Sequence, residues 1–313
     1  MLVFIVRRLI SGVVLVVAIS VIAFTLLYLG GGNIARQILG PTATPATVAL
    51  KTHQLGLDQP LVTQYWNWLT GALTGNLGRS WTTGQLVSVS VSSRLAVTLS
   101  IVIGAVLVSA VLSIVLGVLA ARRGGWVDGL VQFVSVVGFA IPGFLIALFL
   151  VLTFAIDLHW FKAVGYIPVT TSFTGWLSSV TLPIAALSIG AIASVSQQVR
   201  GSVVDAMSRD YVRTLRARGI GINRVVYKHV LRNAGGPALA VLALQFVGLI
   251  GGAVVIEQVF ALPGIGQLTV QATTAGDIPV VMGVVIATAI IVVIVNLVID
   301  LAQAALNPKV RLS

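Results

Sequence analysis

The chain contains no cysteine. A disulfide framework, thiolate ligation of a metal and a cysteine nucleophile are therefore excluded. Charge is scarce too: 9% of the 313 residues are Asp, Glu, Lys or Arg, whereas soluble domains carry about 25%. No Lys follows a Gly anywhere, so there is no GxxxxGK[ST] loop to cradle a nucleotide. Histidines number three, His53, His159 and His229. None falls in an HExxH pattern or beside a second candidate ligand, and they read as loop or interface residues. A Ser–His–Asp site has no supporting nucleophile motif. The chain is expected to have no catalytic residue and no metal site of its own.

What the sequence has in abundance is apolar length. Hydrophobic residues make up 58% of it, and they gather in long runs. The stretches 9–35, 95–121, 129–156, 163–199, 233–256 and 278–299 are free of Asp, Glu, Lys and Arg. A helix crossing the hydrocarbon core needs about 20 apolar residues, so the runs predict an all-α polytopic membrane protein with six transmembrane helices. Barrel strands would be shorter and would alternate. Gly, Ala and Ser are mixed with Val, Leu and Ile throughout, which suits helices packing on one another in lipid. Arg7 and Arg8 before the first run resemble the basic start of a signal peptide, but the run is too long for one. An uncleaved first helix is expected. The net charge of +11 does not indicate a nucleic-acid partner, because the basic residues are dispersed among apolar runs rather than gathered in a soluble basic domain.

Lys and Arg orient the bundle, since short cytoplasmic loops carry the excess. With both termini in the cytoplasm, that side receives Arg7, Arg8, Arg122, Arg123, Arg200, Arg209, Arg213, Arg216, Arg218, Arg224, Lys228, Arg232, Lys309 and Arg311. The opposite side keeps Arg36, Lys51, Arg79, Arg94 and Lys162. The expected organisation is a first transmembrane helix at 1–30 and an extracytoplasmic region at 31–94. A five-helix core at 95–302 follows, with a cytoplasmic loop at 200–235, then a cytoplasmic tail at 303–313. The outer region holds a candidate amphipathic helix at 62–73, and Trp66, Trp68 and Trp81 are candidates for the membrane interface. The cytoplasmic loop reads as helices joined by a break at Gly219–Gly221.

Polar residues within spans are the remaining leads. Asn296 and Asp300 lie four apart on one helical face, Gln245 sits inside the fifth span and Glu257 closes it. Gln245, Glu257 and Asp300 are candidates for a path or gate. Pro142 interrupts the third span, where the freed carbonyl needs a neighbour or a cavity.

Several ordered stretches carry a family resemblance. Leu55-Gly56-Leu57-Asp58-Gln59-Pro60 and Gly75-Asn76-Leu77-Gly78-Arg79-Ser80 come first. Asp210-Tyr211-Val212-Arg213-Thr214-Leu215-Arg216-Ala217-Arg218-Gly219 is the most diagnostic, followed by Leu231-Arg232-Asn233-Ala234 and Pro237. Glu257-Gln258-Val259-Phe260-Ala261-Leu262-Pro263-Gly264-Ile265-Gly266, Asp277-Ile278-Pro279, and the tail with Asn296, Asp300, Asn307 and Pro308 complete the set. Together they resemble the permeases of the oligopeptide/dipeptide/nickel branch of ATP-binding-cassette importers, over nearly the whole chain.

The resemblance implies a type I importer permease in a bacterial inner membrane. It implies a second homologous permease, two ATPase subunits that use ATP and Mg, and an extracytoplasmic solute-binding protein or lipoprotein. Residues 210–219 would form the ATPase-coupling element: Asp210, Tyr211, Arg213, Thr214, Leu215, Arg216, Ala217, Arg218 and Gly219. Leu215 and Arg218 depart from the family's frequent Ala and Lys. Tyr211 and Leu215, four apart, could present an apolar face to an ATPase groove, with Arg213, Arg216 and Arg218 on its rim. Dipeptides or oligopeptides are the expected cargo, with nickel, glutathione or another small solute as alternatives. A non-transporting scaffold or receptor would use the same basic loop.

Overall fold

The computed structural model describes residues 2–30 and 34–306. Among these, helices dominate and the extended pairing is a single antiparallel bridge between Arg79 and Leu86. Five helices are long and apolar enough to span a bilayer: Ile5–Leu29, Val87–Arg123, Phe173–Met207, Ile222–Val259 and Ile278–Ala305. The sixth expected span is broken. Helices Gly125–Ala140 and Gly143–Asp157 meet at 94°, so the run 129–156 is not one straight crossing. The cause is local. Proline disfavours helical backbone in the residue before it, and Ile141 is extended at φ −83°, ψ 123°, with Pro142 at φ −57°, ψ 133°. The second arm then widens into a π-helix over Val151–Asp157.

We number the helices in chain order: α1 Leu2–Gly30, α2 Ile34–Leu39, α3 Pro45–Gln54, α4 Leu61–Leu73, α5 Val87–Arg123, α6 Gly125–Ala140 and α7 Gly143–Leu150. Beyond them lie α8 Phe173–Met207, α9 Asp210–Ala217, α10 Ile222–Arg224, α11 Leu231–Val259, α12 Ile265–Thr274 and α13 Ile278–Leu306. The chain forms two compact units. One centres on Thr98–Leu262, and the other joins Ile5–Val97 to Pro263–Val293.

In the first unit, α5 and α8 meet along a seam of small residues. Ser109 Oγ donates to the Ser188 carbonyl at 3.4 Å and Ser113 Oγ to that of Ile192 at 3.2 Å. A side chain on Gly117 would place its Cβ 2.8 Å from the Ser196 carbonyl oxygen. In lipid, helices gain little from burying apolar surface against each other, so close backbone approach and interhelical hydrogen bonds do the holding. Ser135 Oγ on α6 meets Ser196 Oγ at 3.2 Å and ties that helix to α8 as well.

In the second unit, α1, α4 and α13 surround an aromatic cluster. Phe24 stacks on Tyr28 with centroids 4.4 Å apart and meets Tyr65 edge-on at 5.3 Å. Such pairs add about 0.5–1.5 kcal/mol to area burial. Trp68 and Trp81 pack against the same cluster. Both are half-buried there. Trp66 alone of the three points outward, 63% exposed.

Candidate functional site

The loop at 200–235, expected on the cytoplasmic side, is built from short elements anchored on an apolar core. α8 ends at Met207 and α9 opens at Asp210 after a Ser208–Arg209 turn. Asp210 stands in the first turn and Arg216 in the last, the arrangement that complements the helix dipole. α9 stops at Gly219, which has φ +79°. Its N–H donates to the Arg216 carbonyl at 2.9 Å, and that of Ile220 reaches back to Leu215 at 3.2 Å. These two bonds define a Schellman cap, whose left-handed position favours glycine. The usual hydrophobic contact accompanies it, since Leu215 and Ile220 pack on the same core.

That core decides which face of α9 is available. Val212 is 3% exposed and fully enclosed, while Tyr211 and Leu215 are half-buried against Val203, Val225, Val226 and Val230. Part of the apolar face expected to enter a partner's groove is thus covered by the chain's own residues. The outward face carries Asp210, Arg213, Thr214, Arg216, Ala217 and Arg218, all exposed. Arg213 and Asp210 form a weak solvent-exposed pair at 3.7 Å. Behind α9, Asn233 Nδ2 donates to the Tyr211 hydroxyl at 3.2 Å. A π-helical stretch, Val225–Val230, precedes α11. Pro237 lies inside α11, where it denies the Asn233 carbonyl its ordinary partner.

Two contacts that sequence reading missed hold this region. Arg200 donates to Asp128 through Nε at 2.7 Å and Nη2 at 2.5 Å, a bidentate pair between α8 and α6. The available signal was Asp128 itself, a rare acid in the first turn of an apolar helix. At the end of α5, Arg122 Nη2 donates to Asn223 Oδ1 at 2.5 Å, with its guanidinium carbon 5.7 Å from the Tyr227 ring centroid.

The second group of motif residues lies in the unit of α1 and α13. Asn76 Oδ1 accepts from the Gly78 N–H at 3.0 Å, an Asx turn, and both Gly75 and Gly78 have positive φ. Leu77 packs on the core of Val87, Val280 and Val281. Ser80 is brought to Asp277, 2% exposed. The Asp277 carboxylate accepts from Ser80 Oγ at 2.5 Å and Thr82 Oγ1 at 2.8 Å, and from the N–H groups of Trp81 at 3.1 Å and Thr82 at 3.3 Å. Two motifs far apart in sequence are therefore one clasp. Pro279 sits beside it, its Cβ 3.9 Å from where a Gly78 side chain would begin.

Glu257 is completely buried and accepts from Thr98 Oγ1 at 2.5 Å. At the end of α11, the Leu262 N–H donates to the Glu257 carbonyl at 2.8 Å, and Phe260 and Leu262 are enclosed. Gly264 begins α12, with Gly266 buried and Pro263 exposed. Gln245, Asn296 and Asp300 are half-buried in α11 and α13. Asn307 and Pro308 lie outside the described residues. No group of three or more His, Asp or Glu side chains gathers among the described residues.

Comparison with known proteins follows this geometry. Residues 113–312 match the family described as the binding-protein-dependent transport system inner membrane component, and residues 1–102 match the N-terminal family of such components. The chain belongs to this family of importer permeases. A probable peptide ABC transporter permease of Sinorhizobium fredii is 37% identical over 99% of both chains. A putative peptide transport system permease of Brucella abortus is 37% identical over 98% of both. The glutathione transport system permease GsiC of Salmonella typhimurium is 36% identical over 99% of both. Among solved structures, the MetNI methionine ABC transporter in an inward-facing form has a TM-score of 0.55 at 17% identity, covering 69% of this chain and 96% of that one. The shared fold is that of an ABC importer permease. The chain is accordingly a multi-pass protein of the bacterial inner membrane. In the family, ATP hydrolysis belongs to partner subunits, and a second permease and a substrate-binding protein complete the system.

Proposed function

We infer that this permease imports short peptides and forms half of a translocation path with a second, homologous permease. Two ATPase subunits that use ATP and Mg bind the cytoplasmic side, and an extracytoplasmic solute-binding protein or lipoprotein delivers cargo to the region 31–94. The observation that carries the substrate class is full-length similarity to permeases named for peptide and for glutathione transport. Glutathione is itself a tripeptide, so both names describe one chemical class.

Coupling runs through α9. Its exposed Arg213, Thr214, Arg216, Ala217 and Arg218 meet the ATPase, while Tyr211, Val212, Leu215 and Ile220 fasten it to the ends of α8 and α11. A displacement of the ATPase therefore moves packed helices rather than a loose loop, the kind of rigid-element motion that switches packed structures between states. Gly219 ends the element sharply. Glu257 and Asp277 act structurally, each engaged by hydroxyl donors, and Gln245 and Asp300 are the candidates for contacts along the path or gate.

The test is reconstitution of the complete transporter in proteoliposomes with labelled di- and tripeptides, glutathione and nickel supplied with the binding protein. ATP-dependent accumulation of peptides is expected. Uptake of nickel alone, or no uptake of any solute by an assembled and ATP-hydrolysing complex, would overturn the peptide reading.

A further inference from the structure

Beside the cytoplasmic end of α5 lies a pocket of about 320 Å3. Ile114, Val115, Val118 and Leu119 form its apolar wall, and Arg122, Arg123 and Tyr227 form its polar end. We propose that it holds one anionic phospholipid of the cytoplasmic leaflet, with the phosphate between Arg122 and Arg123 and an acyl chain along the apolar wall.

The dimensions suit this occupant. From residue 114 to residue 122 the helix rises about 12 Å, against a hydrocarbon depth of roughly 15 Å for one leaflet. The wall therefore runs through most of the leaflet and ends in two cations at headgroup level. Ile114 and Val115 are 43% and 56% exposed, within a helix apolar enough to span the bilayer. At that depth a bound acyl chain can lie along them, and a soluble protein domain cannot reach down to them. Tyr227, largely exposed and in contact with Arg122, stands at the level of the arginines, where aromatic side chains mark the interface.

Charge complementarity selects an anionic headgroup. No carboxylate lines the pocket. Arg200, on α8, spends its charge on Asp128. Arg122 is instead oriented by neutral groups: Nη2 donates to Asn223 Oδ1 at 2.5 Å, and Nη1 to the Tyr227 hydroxyl at 3.4 Å. A guanidinium has five N–H donors, so three remain for a phosphate while the positive charge is undiminished. The fork is thus held in place before the ligand arrives, which lowers the ordering cost of binding. Asn223 and Tyr227 belong to the segment between α9 and α11, so the lipid would brace the junction through which α9 is anchored.

The experiment uses the whole transporter with its partner subunits, placed in nanodiscs of phosphatidylcholine containing a minor fraction of phosphatidylglycerol. Native mass spectrometry then reads the lipids and subunits retained. Wild type should keep phosphatidylglycerol selectively. A surface arginine contributes about fivefold to anionic-lipid affinity, so Arg123→Gln should weaken retention about fivefold and Arg122→Gln with Arg123→Gln roughly twenty-five-fold. The single variant leaves the Asn223 and Tyr227 contacts intact and guards against misfolding of the double variant. Millimolar inorganic phosphate should fail to displace the lipid, because it cannot fill the apolar wall. Equal phosphatidylglycerol retention by wild type and both variants would overturn the proposal. So would loss of the ATPase subunits with lipid retention unchanged, which would make the arginines a protein-docking site, or complete displacement by phosphate.

Discussion

Replacing Asp277 by Ala should unlock the outer clasp, and the structure gives the size of the effect. The carboxylate has four donors: the hydroxyls of Ser80 and Thr82, and the N–H groups of Trp81 and Thr82. The Ser80 hydroxyl has an alternative acceptor in Thr82 Oγ1 at 3.2 Å, and the Thr82 hydroxyl, on an exposed residue, can turn to water. The two backbone donors are held by the fold. Trp81 is half-buried and Thr82 exposed, so water replaces part of what is lost; at about 1 kcal/mol per donor, the low end for a donor left without a partner, the clasp should lose about 2 kcal/mol. At 1.4 kcal/mol per tenfold, local opening becomes about thirtyfold more frequent. The Arg79–Ser80 bond lies within the clasp, and trypsin cleaves after arginine. The rate of cleavage there, measured on the purified complex, tracks the open fraction when reclosing outpaces cleavage. Asp277→Asn should fall between, since Oδ1 can still accept from Trp81 while the new amide faces the Thr82 N–H. Cleavage of Asp277→Ala at the wild-type rate would refute the assignment of the clasp energy to this carboxylate.

Three further outcomes are expected. A Gly219 side chain would meet nothing within 4 Å, so Gly219→Ala should act through backbone strain alone, costing about 1–2 kcal/mol. Co-purification of the ATPases should weaken, and Gly219→Asn should restore much of it, whereas wild-type retention by the Ala variant would sink the prediction. Asp128→Ala and Arg200→Ala, with their double variant, should show a favourable coupling in thermal unfolding, because the paired hydrogen bonds are charge-assisted and bidentate, and additive effects would show that the pair contributes nothing. Gly117→Val should destabilise by about 1–3 kcal/mol through overpacking against the Ser196 carbonyl, while Gly129→Val, which meets nothing within 4 Å, should be close to neutral. Equal losses at the two glycines would discredit the close seam.

Much of this fold is legible because lipid imposes a long, simple signal. The apolar runs at 95–121 and 278–299 lie inside α5 and α13, and the break at Gly219–Gly221 separates α9 from α10 as composition suggests. What the sequence concealed is partnership. Ser80 and Asp277 were both motif residues, yet nothing in either motif says that they touch. Arg200 was one loop arginine among many, and only the fold brings it to Asp128. The tertiary role of two tryptophans was hidden in the same way: Trp68 and Trp81 pack half-buried against the cluster around Phe24. At Pro142 the residue type was read correctly and its consequence underestimated, because a proline that kinks a helix and one that breaks it look alike in one dimension.

The orientation of α9 changes how coupling has to be understood. A helix that inserted Tyr211 and Leu215 into an ATPase groove would be a plug, and its strength would scale with the apolar area it buried in the partner. Here a good part of that area is spent internally, on Val225, Val226 and Val230. The outward face is polar and largely cationic, so contact with the ATPase is expected to be electrostatically steered and sensitive to salt. The apolar face instead fixes the helix to the structures it must move. If α9 is the coupling element, as proposed, docking strength and transmission of motion fall on opposite sides of one eight-residue helix. Substitutions at Arg213, Arg216 or Arg218 should loosen assembly. Val212→Ala should leave assembly in place and lower the transport achieved per ATP, since a buried apolar contact that only ties α9 to its own core cannot affect the partner directly. Ratios of peptide imported to phosphate released, measured for the two classes of variant, separate the two roles, and a Val212→Ala complex that loses its ATPases while keeping a native melting temperature would show that the inner face also docks.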